Sequence, residues 1–127
     1  MTTEKTGAKS KTLSVGIDLG TSRSAVSGNN GKRDYVESYV GWPKDFVAAK
    51  MLGKQILFGE EALRHRLSLL LTRPLEQGVI KDGTEKNEES VTELIGHLME
   101  LAEPAAGQKI HAAVGVPAEA RKVSRMS

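Results

Sequence analysis

The sequence predicts an α/β fold: three antiparallel strands, a small inserted unit, then a crossover helix and a parallel strand. Three observations carry this. Short apolar runs broken by turn residues fill positions 13–40. An apolar stripe at helical spacing runs from Val91 to Leu101, and an almost wholly apolar run, Ile110 to Val116, follows it.

Residues 1–12 are rich in Thr and Lys and are expected to form a disordered tail. Leu13 to Ile17 reads as the first strand and Arg23 to Ser27 as the second. Gly28-Asn29-Asn30-Gly31 is a turn of the kind that permits positive φ. Asp34 to Val40 alternates imperfectly and is expected as a third strand, completing a meander. Trp42-Pro43 breaks that pattern, with Trp42 as a packing anchor. Phe46 to Phe58 is mixed, and Gly53-Lys54 reads as a tight turn between short strands. Glu60 to Leu71 places Leu63, Leu67, Leu70 and Leu71 at helical spacing, with Arg64 and Arg66 elsewhere on the wheel. Pro74 closes this unit, so residues 42–73 are expected as a small inserted subdomain. Asp82 reads as a helix-entry residue. Asn87 or Ser90 would cap the next helix, and Ser90 with Glu93 fits a capping box. Glu85, Lys86, Glu88 and Glu89 read as its solvated first turn. Val91, Leu94, Ile95, Leu98 and Leu101 form its buried stripe, and Pro104 ends it. Ile110 to Val116 is expected as a strand buried on both faces, joined by a right-handed crossover.

The length, 127 residues, suits one domain with one core. A net charge of +2 leaves no nucleic-acid footprint. Positive residues cluster at the ends (Lys5, Lys9 and Lys11; Arg121, Lys122 and Arg125) and read as solvated tails. There is no cysteine, hence no disulfide framework or thiolate chemistry. The first residues lack the apolar core of a signal peptide, and no stretch approaches the ~20 apolar residues of a membrane span. The expectation is a soluble cytoplasmic chain. His65, His97 and His111 lie far apart without ligand spacing and read as surface or core histidines.

The chemistry concentrates in Val15-Gly16-Ile17-Asp18-Leu19-Gly20-Thr21-Ser22. An apolar strand ends in a carboxylate and drops into a Gly-Thr-Ser turn before a second strand. Such a turn can present backbone N–H groups to phosphates, with hydroxyls alongside and Asp18 placed to meet a magnesium hydration shell. It has no Lys, so it is not a Walker-type loop. From spacing alone, an ordinary hairpin with a polar turn fits equally well. Arg23 sits close by, on the sheet surface.

Val15 to Ser24 resembles the first phosphate-binding segment of the actin, Hsp70 and sugar-kinase superfamily of ATPases. Arg73-Pro74-Leu75-Glu76-Gln77-Gly78-Val79-Ile80-Lys81-Asp82 resembles the return from the inserted subdomain into the first lobe of bacterial actin-like proteins. Val114-Gly115-Val116-Pro117-Ala118 resembles the strand end that follows there. The three come in the family's order and cover residues 13–120. Val40-Gly41-Trp42-Pro43-Lys44-Asp45 brings the chain nearest to the rod-shape (MreB-like) and, closer still, the magnetosome-associated (MamK-like) members.

The resemblance implies the N-terminal portion of a ribonuclease-H-like actin fold. Residues 13–41 and 74–120 would be an incomplete subdomain IA, residues 42–73 a subdomain IB, and residues 121–127 a tail. It implies ATP and magnesium as cofactors, bound through Asp18, Gly20, Thr21 and Ser22, with Asp18 reaching Mg through water. It also implies self-association into filaments by an intact member. Family members are more than twice this length, and their second phosphate loop, adenosine segment and water-orienting acid are absent here, which leaves hydrolysis by this chain open. An Hsp70-type chaperone portion, a carbohydrate kinase and a truncated, non-catalytic fragment are the competing readings. The continuation after the third strand speaks against the chaperone, and no sugar-binding residues are recognisable. An apolar strand with an uncovered edge would leave the isolated chain inclined to dimerise, aggregate or dock on a full-length relative.

Overall fold

A computed structural model describes residues 12–75 and 85–116. The expectations for residues 1–11, for Glu76 to Asp82, and for positions 117–127 lie outside them.

The first sheet follows from strict alternation. In β1 (Leu13–Asp18), Leu13, Val15 and Ile17 are buried and Ser14, Gly16 and Asp18 face outward. β1 pairs antiparallel with β2 (Arg23–Gly28), and β2 pairs antiparallel with β3 (Arg33–Glu37). The turn between β2 and β3 uses Gly31 at φ 89°, as the Gly-Asn-Asn-Gly signal predicts. The third strand is shorter than expected. It ends at Glu37, where the Tyr39 N–H donates back to the Glu37 carbonyl at 2.8 Å and the chain bends; the N–H of buried Ser38 still donates to the Ser22 carbonyl at 3.0 Å, in register with the β2–β3 pairing.

The chain then starts a second, antiparallel sheet with β4 (Val40–Pro43). Trp42-Pro43 therefore lies inside a strand, and Trp42 packs against the main core. Residues 46–58 depart from expectation as well. Asp45 accepts the Ala48 N–H on its side chain at 2.8 Å and starts helix α1 (Phe46–Leu52). Gly53, at φ 70°, is that helix's left-handed terminator and not a turn between strands. After β5 (Leu57–Phe58), the expected long helix is only one turn and a half, α2 (Gly59–Arg64). A 3₁₀ turn, Arg66–Ser68, leads to strand β6 (Leu69–Thr72). Leu69 is buried, while Leu67 and Leu70 are exposed, so the leucines obey a strand period here and not a helical one. β4 lies between β5 and β6.

Helix α3 is already formed at Glu85 and runs to Leu101, so Asn87 and Ser90 fall within it and do not cap it; Ser90 is buried. Its stripe is as expected. Leu94 and Leu98 join Leu13, Val15, Ile17, Val26, Val36 and Leu75 in the main core, flanked by Val91, Ile95 and Leu101. Trp42, Ile56 and Phe58 from the second sheet pack on the same core. Phe58 stacks on the His97 ring with centroids 4.1 Å apart and 9° between planes, so His97 is a packing residue.

The last strand, β7 (Ile110–Gly115), pairs parallel with β1, giving the order β3-β2-β1-β7. It is exposed along its whole length and not buried on both faces. Among the described residues it is the outer strand, and α3 lies across β1, β2 and β3. Among the described residues, no helix is long and apolar enough to cross a membrane.

Candidate functional site

The β1–β2 hairpin brings the four candidate residues together at the end of two strands. Asp18 is the last residue of β1, level with Ala25 on one side and Gly115 on the other, and its side chain faces outward. Leu19 turns inward and is buried, and its N–H donates to the Gly115 carbonyl at 2.9 Å. This bond fixes the exit of β1 against β7, so the turn that follows leaves from a rigid point.

The turn itself is held from beneath by two serines that sequence reasoning passed over. Ser24 and Ser38 are both fully buried, and their hydroxyls meet at 2.7 Å. The Ser38 hydroxyl donates to the Gly20 carbonyl at 2.7 Å, and the Ser24 hydroxyl accepts the Gly20 N–H at 3.3 Å. With Ser38 N–H on the Ser22 carbonyl, both ends of the turn are tied to one buried polar cluster. Its satisfied partners are what allow two hydroxyls in an otherwise apolar region. The available signal was Ser24 at an inward-facing position of β2.

This arrangement divides the labour among the candidates. Gly20 turns its N–H inward to Ser24, so it serves the turn by shape. A Cβ at position 20 would collide with the Arg23 carbonyl oxygen, so only glycine lets the backbone come this close. Thr21 is half-buried and Ser22 is exposed; among the described residues their hydroxyls and the Thr21 N–H have no hydrogen-bond partner. Asp18, Thr21 and Ser22 are therefore the groups turned outward. Arg23 is not turned toward them: its guanidinium lies over the Tyr35 ring, 4.4 Å from the centroid, on the sheet surface.

A concavity of about 790 Å³ lies on the outward face of the first sheet, floored by Gly16, Ala25, Ser27, Ala113 and Gly115 and walled by Tyr35. Of the candidate residues only Asp18 lines it. The concavity and the turn are separate features that meet at that carboxylate. Among the described residues no group of His, Asp and Glu side chains could hold a metal ion directly. His65 and His111 are exposed, and His111 lies beside Ser14, toward the opposite end of β1 from Asp18.

No protein-family model matches the chain. The chain is 40% identical over 117 residues to the actin-like protein MamK of Magnetospirillum gryphiswaldense, which covers 92% of this chain and 32% of that protein. Among solved structures, a MamK double helical filament superposes with a TM-score of 0.81 at 36% identity, over 91% of this chain and 36% of that one. A non-polymerising MamK mutant bound to AMPPNP superposes with a TM-score of 0.78 at 38% identity, over 87% of this chain and 34% of the other. The chain thus spans about a third of the length of the relatives it matches. Sequence and fold agree that this is an actin-like chain of the bacterial MamK type, built on the N-terminal portion of the actin fold's first lobe.

Proposed function

We propose that this chain supplies the first phosphate-binding hairpin of an ATP site in a cytoplasmic actin-like filament protein, with Asp18 facing a magnesium ion through water. The observation that carries the reading is the Gly20 turn, tied down by Ser24 and Ser38 while Asp18, Thr21 and Ser22 point outward. A turn fixed in advance spends little free energy on ordering when an anion arrives. The donor set fits the proposed group. Thr21 N–H and the two hydroxyls suit phosphate oxygens, and an exposed carboxylate at a strand end suits a hydrated cation. A bound Mg²⁺ would neutralise charge on the β- and γ-phosphates. The chain's own part is positioning: Gly20 sets the path, Thr21 and Ser22 donate, and Asp18 orients the ion's water shell.

Two comparisons support nucleotide binding and assembly as the setting, since one neighbour is an AMPPNP complex and another a filament. In that setting, contacts from Thr21 and Ser22 to the γ-phosphate would couple nucleotide state to lobe closure and so to subunit contacts. The domain reading goes with it: residues 42–73 act as the small inserted subdomain on a first-lobe core of 13–41 and 74–120. The test is a chimera in which residues 13–116 replace the matching segment of a full-length actin-like relative. The chimera should bind a fluorescent ATP analogue with Mg²⁺ and assemble. Asp18→Ala should abolish magnesium-dependent turnover while the circular dichroism spectrum stays unchanged. Equal turnover by chimera and variant would show that the hairpin is only a turn.

A further inference from the structure

Three consecutive residues after β3 are anchored in three different places. Ser38 belongs to the polar cluster beneath the Gly20 turn, its hydroxyl donating to the Gly20 carbonyl and its N–H to the Ser22 carbonyl. Tyr39 packs with Leu57, Ala62 and Leu69 in the separate core of the inserted unit. Its carbonyl accepts the Gly59 N–H at 2.9 Å, where α2 begins. Val40 is fully buried in the main core. The chain returns from the inserted unit alongside these residues. The Thr72 hydroxyl donates to the Val40 carbonyl at 3.2 Å, and Leu75 is buried in the main core. Between them stands Arg73, its guanidinium 5.5 Å from the centroid of the Tyr39 ring. The Arg73 Nε is buried and, among the described residues, has no hydrogen-bond partner, so the ring face is the contact that seats the cation.

We infer that Arg73 is a positioning residue for the phosphate turn: seated on Tyr39, it holds the outgoing and returning chain together and so ties Ser38, and through it the Gly20 carbonyl, to the inserted unit. The lever is short. One planar peptide group joins Tyr39 to Ser38. The Ser38 hydroxyl then reaches the turn in a single hydrogen bond of 2.7 Å. The Tyr39 N–H on the Glu37 carbonyl at 2.8 Å leaves this segment no slack. Packed units shift as bodies and do not deform smoothly, so a tilt of the inserted unit that carries Tyr39 along is delivered to Ser38. The functional consequence rests on the phosphate reading. An anion that stiffens the turn would restrain the inserted unit, and by linkage the attitude of that unit would set the turn's affinity for the anion.

Amide hydrogen exchange of the full 127-residue chain, followed by NMR without nucleotide, measures the coupling itself. Arg73→Met removes the cation and keeps an unbranched side chain. Exchange at Gly20 and Ser38, whose N–H groups bond within the pinned cluster, should rise about threefold. Arg73→Lys keeps a cation for the ring and should restore most of the protection. Asp45→Ala loosens α1 of the same inserted unit without touching Tyr39 and should leave both amides unchanged, which separates positioning from simple loss of stability. In a Ser38→Ala background, Arg73→Met should raise Gly20 exchange no further, because the link is already cut. Should Arg73→Met not fold, Tyr39→Leu, which removes the ring and keeps an apolar residue in the inserted core, is read in the same way. With millimolar ATP and Mg²⁺, the parent should show a shift at the Gly59 amide beside those at Thr21 and Ser22, and Arg73→Met should lose the Gly59 shift alone. Unchanged exchange at Gly20 and Ser38 in Arg73→Met, an equal rise in Asp45→Ala, or no rescue by Arg73→Lys would each overturn the inference. A turn that ignores nucleotide while Gly20 exchange still rises in Arg73→Met would leave the coupling standing and remove the phosphate reading.

Discussion

Replacing Ser38 by alanine removes the hydroxyl that ties the candidate turn to the core. The loss covers two bonds of 2.7 Å, one to the Gly20 carbonyl and one shared with Ser24. Each neutral hydrogen bond contributes about 1 kcal/mol net, and a buried partner left unsatisfied adds to that. Alanine's slightly better fit to an apolar site offsets a part. The expected cost is about 2 kcal/mol, which at a urea m-value of roughly 1–3 kcal/mol/M moves the midpoint by about 1 M. Ser24→Ala removes the shared bond from the other side and frees the Gly20 N–H. Because the two variants delete one common contact, the double variant should cost less than their sum, by roughly 0.5–1.5 kcal/mol. Urea denaturation followed by far-ultraviolet circular dichroism measures all four members of the cycle. A Ser38→Ala cost below about 0.5 kcal/mol, the size of an ordinary surface change, would refute the claim that the pair pins the turn. Strict additivity would refute it equally.

Further outcomes follow from other contacts. Asp45→Ala should destabilise the chain by about 1 kcal/mol, since Asp45 caps the short helix α1; thermal melts measure it. Gly59→Ala should cost more than that, because Gly59 sits at φ 62° with a Cβ position that collides with Val36. A near-neutral melt for that variant would rule out the close approach of α2 to β3. Burial against Phe58 pushes the His97 pKa down, against the opposite pull of Glu100 and Asp34. The folded state then binds fewer protons than the unfolded one, so stability is full above the ordinary histidine range and is lost as pH falls through it. His97→Phe should flatten that part of the stability curve. ATP hydrolysis by the isolated chain should not exceed a no-protein control, because one hairpin cannot orient the γ-phosphate alone.

The legible parts of the fold were those where one period dominated. β1 alternates without exception, and α3 carries one clean stripe, so the strand and the buried face of the helix were read correctly, though not the helix's start. Helix α1 was not, because Phe46, Val47 and Met51 all face solvent and erase the amphipathic signal. Only its end residues, Asp45 and Gly53, announced it. The run from Leu63 to Leu71 satisfies a helical and a strand period at once, and pairing of Leu69 to Thr72 with β4 decided between them. The apolar run at 110–115 shows strand preference but not whether a neighbour covers it, hence the mistaken expectation of burial. The outward groups of the hairpin were readable from residue type. Ser24 and Ser38 were not, since a buried polar pair 14 residues apart leaves no periodicity and meets only once β2 and β3 have paired.

The central claim is that the turn from Asp18 to Ser22 receives phosphate. Amide NMR of the isotopically labelled chain, titrated with millimolar ATP with and without Mg²⁺, tests it most directly. Binding by one hairpin is weak, and chemical-shift mapping reports weak binding residue by residue. The account predicts magnesium-dependent shifts at Thr21 and Ser22, smaller ones at Asp18 and Gly20, and none along the floor at Gly16, Ala25 and Ala113. Loss of the magnesium dependence in Asp18→Ala should accompany them. Shifts confined to the sheet floor, or an unresponsive turn at millimolar nucleotide, would contradict it.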